Sequence, residues 1–437
     1  MNPVDPVEGG AAVEEPVPAP RRGWAIDTTP LRNPHYRRLF GGIAATMLGQ
    51  QMTLVAVPFQ VYELTRSSLL VGVTSIVALV PLIVFGLLGG AIADAMDRRR
   101  LMLITSSGAA VTSALLAVQA LLPGGGNLVA LWVLAACVSG FAAVNQPTRS
   151  AVIPALVGPS EVAAANALSM TVRQAGVIVG PLMAGVLIGL GDLFLAYTVD
   201  AVGFLVATTL LRGLPPLPPG VAVGKLRLGA AVRGVGEGFA FLRTQPVLLM
   251  TFVVDIIAMA FGWPQAVFPE LSQTRFAESA NGLGWLFAGA SIGALLMGLS
   301  SGWVTRVDRQ GAVVLAAIAA WGVAIIGFGF APALWLAVVC LAVAGAADMV
   351  SAVLRTSMLQ IAAPEEMRGR MQGVFIVVVA GGPRLGDLRA GALATATSVT
   401  VAMVSGGIVI VVAMIVVALV VPSFFLFRAS APAEERP

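Results

Sequence analysis

Charged residues are scarce in this chain, and that scarcity decides its class. Only 11% of the 437 residues are charged and 58% are hydrophobic, whereas soluble domains are about 25% charged. Lysine occurs once, at Lys225, and the net charge of +4 is spread between apolar runs. This spread excludes the basic face of a nucleic-acid-binding protein. The composition predicts a polytopic membrane protein.

Residues that build disulfides, metal sites and catalytic centres are also nearly absent. The two cysteines, Cys137 and Cys340, lie within apolar segments, and His35 is the one histidine. Such a distribution favours neither a disulfide framework nor a metal site. The sequence has no G-x-x-x-x-G-K-(S/T) loop that would bind ATP. We therefore expect a protein that is not an enzyme and that needs no cofactor or metal ion.

Long apolar runs fill most of the chain. A helix rises 1.5 Å per residue, so about 20 apolar residues cross a hydrocarbon layer of roughly 30 Å. Twelve segments approach or exceed this length, and we predict twelve transmembrane helices. They are 39–62, 69–93, 101–122, 128–151, 163–190, 193–211, 247–268, 281–304, 311–330, 333–353, 371–394 and 398–427.

A polar connection near the centre divides these segments into two sets of six. We expect an N-terminal bundle over 36–211, a cytoplasmic central loop over 212–246 and a C-terminal bundle over 247–427. Residues 1–35 are rich in proline, glutamate and glycine, which predicts a disordered tail. Residues 428–437 form a second tail.

Basic residues are distributed unequally between the two sides of the predicted membrane. With the N-terminus inside, 21 of the 26 lysines and arginines fall in the tails, the central loop and the loops on that side. The opposite side receives only Arg66 and Arg275. Because cytoplasmic loops carry the excess of basic residues, we predict that both termini face the cytoplasm, in a cell inner membrane.

The two halves repeat at a fixed offset. Arg149 and Arg355 lie 206 positions apart, and the same offset relates Asn166 to Gln372. It also relates three pairs of glycines: Gly176 and Gly382, Gly180 and Gly386, Gly185 and Gly391. Two six-helix pseudo-repeats of this kind occur in secondary transporters. The alternative is that packed membrane helices favour glycine in general.

A charged loop between the second and third segments carries the first family motif. It follows the pattern G-x-x-x-D-(R/K)-x-G-(R/K)-(R/K), and the matching residues are Gly90, Asp94, Arg98 and Arg99. Ala95 and Asp97 depart from the pattern. The loop resembles the signature of the major facilitator superfamily, which implies that the four matching residues form a conformational latch. The alternative is a simple positive-inside anchor.

Further motifs in order along the chain extend this resemblance over residues 33–427. The stretch 145–154 and the glycine-rich stretches 176–185 and 382–391 are similar to the enterobactin-exporter and macrolide-efflux branch. The resemblance implies that one set of residues allows close helix packing. These residues are Gly176, Gly180, Pro181, Gly185, Gly382, Gly386 and Gly391.

The resemblance also implies a function. It predicts a monomeric secondary active exporter, surrounded by membrane lipids, that works by alternating access. Its substrate would be a small molecule, a siderophore or a hydrophobic drug such as a macrolide, with protons as the coupling ion. Import or lipid transport on the same fold is the main alternative, and a non-transporting membrane sensor is another. Many proton-coupled drug antiporters carry an arginine in helix four where this chain has Ala136, so we expect the coupling site elsewhere.

Polar residues inside the apolar segments are the candidates for that site. An ionised side chain at the bilayer centre costs about 3 kcal/mol, so it normally faces a cavity or a partner. Asp255 in the seventh segment is the leading candidate for sensing protons or substrate, and a packing role is the alternative. The other predicted residues of the coupling or substrate cavity are Asp348, Gln50, Gln51, Asn145 and Arg173. We expect Asp200 to be structural, and Arg384 to pair with Asp387 three residues later.

Overall fold

The computed structural model describes residues 27–218, 228–279, 281–362 and 368–428. This part of the chain is built from α-helices joined by short turns and 3-10 segments. The first half contains α1 (Pro34–Thr65), α2 (Ser68–Ala95), α3 (Arg98–Ala120), α4 (Leu128–Leu156), α5 (Val162–Gly189) and α6 (Leu193–Arg212). The second contains α7 (Leu228–Thr244), α8 (Pro246–Gly262), α9 (Phe268–Gln273), α10 (Gly282–Leu299), α11 (Gln310–Phe330), α12 (Leu334–Ala362), α13 (Arg368–Ala396), α14 (Val399–Val420) and α15 (Pro422–Phe425).

Most of the long helices match the predicted spans. Among the described residues, eleven helical stretches are long and apolar enough to cross a membrane. The remaining predicted span, 371–394, lies in α13, which is 29 residues long but carries Arg384, Asp387 and Arg389. It nevertheless packs against α2, α8 and α14. The prediction of an all-α polytopic membrane fold is confirmed.

Polar residues at the ends of the apolar runs start several of these helices. Asn33, Asn127 and Asp192 precede α1, α4 and α6, and each side chain accepts hydrogen bonds from the first turn of its helix. Ser398 does the same for α14. These caps satisfy backbone N–H groups that have no partner within the helix.

The helices repeat with the offset seen in the sequence. α4, α5 and α6 begin at Leu128, Val162 and Leu193, and α12, α13 and α14 begin 206 positions later in each case. The offset of the glycines therefore reflects a structural correspondence between three helices of each half. This correspondence makes Arg149 on α4 and Arg355 on α12 equivalent positions.

The bundle has two distinct ends. The terminal end contains the start of α1 and the end of α6, where Arg38 donates a hydrogen bond to the carbonyl of Gly213. The distal end contains the turn between α1 and α2. Three side-chain contacts join the halves there: Arg66 with Gln273, Ser68 with Glu270 and the Leu69 amide with Thr395.

The central connection is more ordered than the sequence suggests. The predicted loop 212–246 contains α7, a 17-residue helix that packs against α13 and α8 of the C-terminal half and against α2 of the N-terminal half. Its apolar residues recur at helical spacing, a pattern typical of a helix lying on a surface. The predicted tails and this loop also include residues 1–26, 219–227 and 429–437, which lie outside the described residues.

Candidate substrate and coupling cavities

The C-terminal half encloses a cavity of about 330 Å³ between α8, α12 and α13. Asp255 on α8 and two residues of α12, Asp348 and Arg355, bring three charges to its wall. Asp348 and Arg355 are separated by about two helical turns, so they project from one face of α12. Trp263 and Phe375 contribute aromatic surface to the same cavity. We call this space the C-terminal cavity.

Arg355 lies between the two carboxylates of the C-terminal cavity. Its Nη1 is 2.5 Å from Asp255 Oδ1, its Nη2 is 3.8 Å from Asp348 Oδ1, and its Nε donates to Ser351 Oγ at 3.0 Å. The side chains of Asp255 and Arg355 are only 5% and 13% exposed, against 36% for Asp348. Such a buried ion pair is sensitive to the protonation of its carboxylate, because a lone buried charge is strongly unfavourable.

The N-terminal half encloses a cavity of about 410 Å³ between α1, α4 and α5. Four of the predicted cavity residues line it: Gln50, Gln51, Asn145 and Arg173. Arg149 also lines it and is buried, with 9% exposure. Asn145 donates through Nδ2 to Thr105 Oγ1 at 2.7 Å, so part of its amide is used inside the protein. We call this space the N-terminal cavity.

A smaller cavity of about 120 Å³ lies between the halves. Gln50 reaches it from α1, and Arg384 and Asp387 reach it from α13. Asp387 does not pair with Arg384 as expected, since no ion pair joins them among the described contacts. Its carboxylate instead accepts hydrogen bonds from Ser75 Oγ on α2 at 2.7 Å and from the Ala266 amide at 2.9 Å. Asp387 thus links the two halves.

Asp200 on α6 belongs to a buried polar cluster and does not itself line any of these three cavities. The side chain is fully buried, and its Oδ2 accepts from Thr53 Oγ1 and Ser113 Oγ, both at 2.8 Å. The contacts join α6 to α1 and α3. This geometry is in keeping with the structural role expected from the sequence.

The predicted packing glycines of α5 lie at close helix contacts. A Cβ at Gly176 would lie 3.2 Å from Met47 Cβ, and one at Gly180 would lie 2.5 Å from Gln51 Cβ. Both therefore bring α1 close to α5 behind the N-terminal cavity. Gly185 faces α10 of the other half, where an added Cβ would lie 2.6 Å from the amide nitrogen of Gly284. The Pro181 carbonyl approaches Gly284 in the same contact.

The equivalent glycines of α13 make equivalent contacts. A Cβ at Gly382 would lie 2.9 Å from Met259 Cβ, and one at Gly386 would lie 2.7 Å from Trp263 Cβ. These two residues bring α8 close to α13. Gly391 faces α2 of the N-terminal half, with an added Cβ 2.8 Å from the carbonyl carbon of Ser68. Each half thus uses two glycines for its own packing and one to meet the other half.

The predicted latch loop holds the terminal end of the N-terminal half together. The surroundings of Gly90 and the side chain of Asp94 lie outside what the structure describes, although both positions belong to α2. Arg98 Nη1 donates to the Ala151 carbonyl at 3.3 Å, and Arg99 Nη2 donates to the Arg212 carbonyl at 2.6 Å. The latch itself stays a prediction.

Asp97, a departure from the family pattern, has a defined role in the same loop. Its Oδ1 accepts from the Arg100 amide and caps α3, while Oδ2 accepts from the Leu217 amide, both at 2.9 Å. The Arg98 amide also donates to the Leu217 carbonyl at 2.9 Å. Asp97 therefore ties this loop to the segment that follows α6.

The family follows from a match over nearly the whole chain. The model of the transmembrane secretion effector family matches residues 25–430. The chain belongs to this family. The resemblance to the major facilitator superfamily, enterobactin-exporter branch, is confirmed.

Curated relatives of this secretion effector carry the name enterobactin exporter EntS. The protein from Citrobacter koseri is 29% identical over 395 residues, which cover 90% of this chain and 93% of that protein. The protein from Shigella boydii serotype 4 is 29% identical over 389 residues, covering 88% of this chain and 92% of that protein. Both similarities extend through the two halves.

Solved structures support the fold of this secretion effector. The nucleoside transporter NupG has a TM-score of 0.71 at 13% identity, with 90% of this chain and 99% of that chain covered. The human organic anion transporter MFSD10 has a TM-score of 0.60 at 16% identity, with 89% and 99% covered. At these identities the likeness concerns the fold alone.

Two charged residues of the cavities were not singled out as site residues from the sequence. Arg149 and Arg355 were counted only as basic residues near the terminal end and as a repeat pair. In the structure Arg355 pairs with Asp255, and Arg149 lines the N-terminal cavity. The 206-position offset is the sequence signal that points to these two residues, because it places an arginine at the same position of each of two cavity-lining helices.

Proposed function

We propose that this secretion effector exports a siderophore-like small molecule across the cytoplasmic membrane in exchange for protons. The named relatives support export of a siderophore, and their similarity covers about nine tenths of the chain. The excess of basic residues at the terminal end supports a cytoplasmic location for that end. The distal end then faces outward, and the contacts between the halves there correspond to a conformer that is closed to the outside.

The ion pair between Asp255 and Arg355 is the observation that carries the coupling proposal. The two side chains come from different helices, are largely buried and line a cavity. A proton that enters from outside neutralises Asp255 and releases Arg355, so the contact between α8 and α12 weakens. Loss of the proton to the cytoplasm restores the pair. One proton entering per cycle drives the exported molecule in the opposite direction.

Alternating access follows from the contacts between halves. The distal contacts of Gly185 with α10 and of Gly391 with α2 depend on backbones that approach without intervening side chains. Asp387 adds a polar contact between α13 and α2. Separation of these contacts opens the cavities outward, and their closure returns the transporter to the conformer described above.

Proton flux in everted membrane vesicles tests this proposal. In vesicles acidified inside by respiration, enterobactin added outside should cause proton efflux, followed with a fluorescent ΔpH probe. We expect Asp255→Asn to abolish this efflux, because the asparagine cannot exchange a proton. The matched control is Glu278→Gln, an exposed residue outside the cavities, which should behave like the unmodified protein.

The outcomes separate the parts of the proposal. Efflux of normal size and pH dependence in Asp255→Asn would remove the coupling role of the ion pair. No efflux in the unmodified protein, at normal expression, would reject the assignment of a siderophore of this class. A knockout strain that retains no extra siderophore would reject export.

A further inference from the structure

Arg149 is a buried cation without a carboxylate partner. It is 9% exposed, and its described hydrogen bond is the donation from Nη1 to Thr46 Oγ1 at 3.1 Å. Among the side chains that the structure describes, none of the acidic groups lies within ion-pair distance of it. A guanidinium has five donors, and burying an unpaired charge is costly. The spare donors face the N-terminal cavity.

Arg173 brings a second cation to the same space from α5. It lines the N-terminal cavity, and within the described ranges it makes neither a hydrogen bond nor an ion pair. The two guanidinium groups therefore share the wall of one cavity. Two like charges at one cavity wall are stabilised when an anion lies between them, because each then gains a charge-assisted hydrogen bond.

The rest of the N-terminal cavity suits an anion that has an apolar body. Gln50, Gln51 and Asn166 add neutral polar groups near the arginines. Met47 and Val177 supply apolar wall. The combination of cationic donors, amides and aliphatic surface fits an organic carboxylate or phenolate with an apolar body better than a small inorganic ion.

We propose that the N-terminal cavity is an anion subsite, in which Arg149 and Arg173 bind the carboxylate or phenolate group of an organic anion that has an apolar body. This inference rests on the proposed export function, since the anion would be part of the exported molecule. A lipid phosphate presents related chemistry. The experiment therefore distinguishes a soluble anion from a headgroup.

Equilibrium binding of salicylate is the test. Salicylate carries an aromatic ring and a carboxylate, and salicylamide is its neutral counterpart. Binding is measured by calorimetry on the full-length protein in nanodiscs of phosphatidylcholine, without any proton gradient. We expect Arg149→Gln and Arg173→Gln each to weaken salicylate binding at least about tenfold, the size of a lost charge-assisted hydrogen bond. Affinity for salicylamide should change little.

Controls keep the test decisive. Arg173→Lys, which retains the charge, should preserve more salicylate affinity than Arg173→Gln, and Glu278→Gln should bind as the unmodified protein does. Arg173 is exposed within the cavity, so its variants serve if Arg149→Gln does not fold. Equal salicylate binding by the arginine variants and the unmodified protein would overturn the proposal, as would equal losses for salicylate and salicylamide.

A change of lipid identifies the source of the anion. If phosphatidylglycerol in the nanodisc competes with salicylate, the subsite accepts a lipid headgroup. If binding is the same in both lipids, the subsite accepts a soluble anion. The outcome is independent of the export assay: salicylate binding without siderophore-driven proton efflux would reject the proposed function and leave the subsite in place.

Discussion

The N-terminal and C-terminal cavities occupy corresponding places in the two halves but carry opposite charge. α4 and α5 line the first, and their counterparts α12 and α13 line the second. The described walls contain Arg149 and Arg173 on one side, and Asp255, Asp348 and Arg355 on the other. One repeated scaffold therefore presents an excess of positive charge in one half and an excess of negative charge in the other.

A single pair of positions shows how this difference arises. Arg149 and Arg355 are equivalent in the repeat, yet in the part of the chain that the structure describes only Arg355 has carboxylates beside it. The position equivalent to Asp348 is Ala142, which lines the N-terminal cavity without a charge. The contacts of each arginine therefore depend on which residues of other turns and other helices lie beside it. An unpaired arginine suits an anionic ligand, and a paired one suits a proton-dependent contact.

The largest difference between the two cavities is expected when each arginine is removed in turn. Arg355→Met leaves Asp255 buried and unpaired, so we expect a loss of about 3–5 kcal/mol in stability. Arg149→Met removes a buried charge that has no carboxylate partner within the described ranges, and should be nearly neutral or stabilising. Thermal unfolding of both variants in the same detergent measures the contrast.

A double variant provides the control for Arg355. Asp255→Asn combined with Arg355→Met removes both charges of the buried pair and should recover much of the lost stability, because the charge that remains, on Asp348, is 36% exposed and partly solvated. Equal destabilisation by Arg149→Met and Arg355→Met would show that the two positions are energetically alike, and the comparison would fail.

Substitution of the glycines at the distal end tests whether the two halves make equivalent contacts there. Gly185→Leu and Gly391→Leu each insert a side chain at a backbone contact between halves, so both should hold the distal end apart. The measurement is disulfide formation between Arg66→Cys and Gln273→Cys, two positions in contact there, with Cys137 and Cys340 replaced by serine. We expect the crosslink to fall several-fold in both glycine variants.

Gly189→Leu is the matched control for this crosslink. It lies on the same helix as Gly185, but a Cβ there meets no atom within 4 Å. Its crosslink should equal that of the parent. A loss of crosslink for Gly185→Leu alone would mean that the distal contacts of the two halves are not equivalent.

The smallest effect is expected for Asp348, the second carboxylate of the C-terminal cavity. Asp348 is 3.8 Å from Arg355 and 36% exposed, whereas Asp255 is 2.5 Å away and 5% exposed. A partly solvated pair contributes up to about 1 kcal/mol, so Asp348→Asn should reduce siderophore-driven proton efflux no more than about fivefold. A complete loss in Asp348→Asn, with efflux retained in Asp255→Asn, would transfer the coupling role to Asp348.

Much of the architecture was predictable because it depends on local pattern. Apolar length predicts each span, whereas the first helix begins at Pro34, five residues before its predicted span, because Asn33 caps it. The amphipathic helix α7 was missed, since its glycines and charges made the segment read as a loop. Asp255 was recognised as a candidate because an acid inside an apolar run is costly unless it has a partner.

The identity of that partner was not predictable. Asp255 and Arg355 lie on different helices, and hydropathy says nothing about which helices face each other. The same limit applies to Asp387, which the sequence paired with Arg384 three residues away and which the structure pairs with Ser75 on the other half. Helical spacing allows two residues three apart to form a pair. When helix packing brings a residue that is distant in the sequence closer, the carboxylate binds that residue instead.

The membrane class, the helical repeat and the family follow from composition, hydrophobic length and ordered motifs, which are properties of the chain read in one direction. Which charges meet depends instead on how the helices pack. The packing placed Arg355 against Asp255 and left Arg149 facing a cavity, although both arginines occupy the same position of the repeat. The reason is physical: the energy of a buried charge depends on the atoms around it, and those atoms come from helices far apart in the sequence.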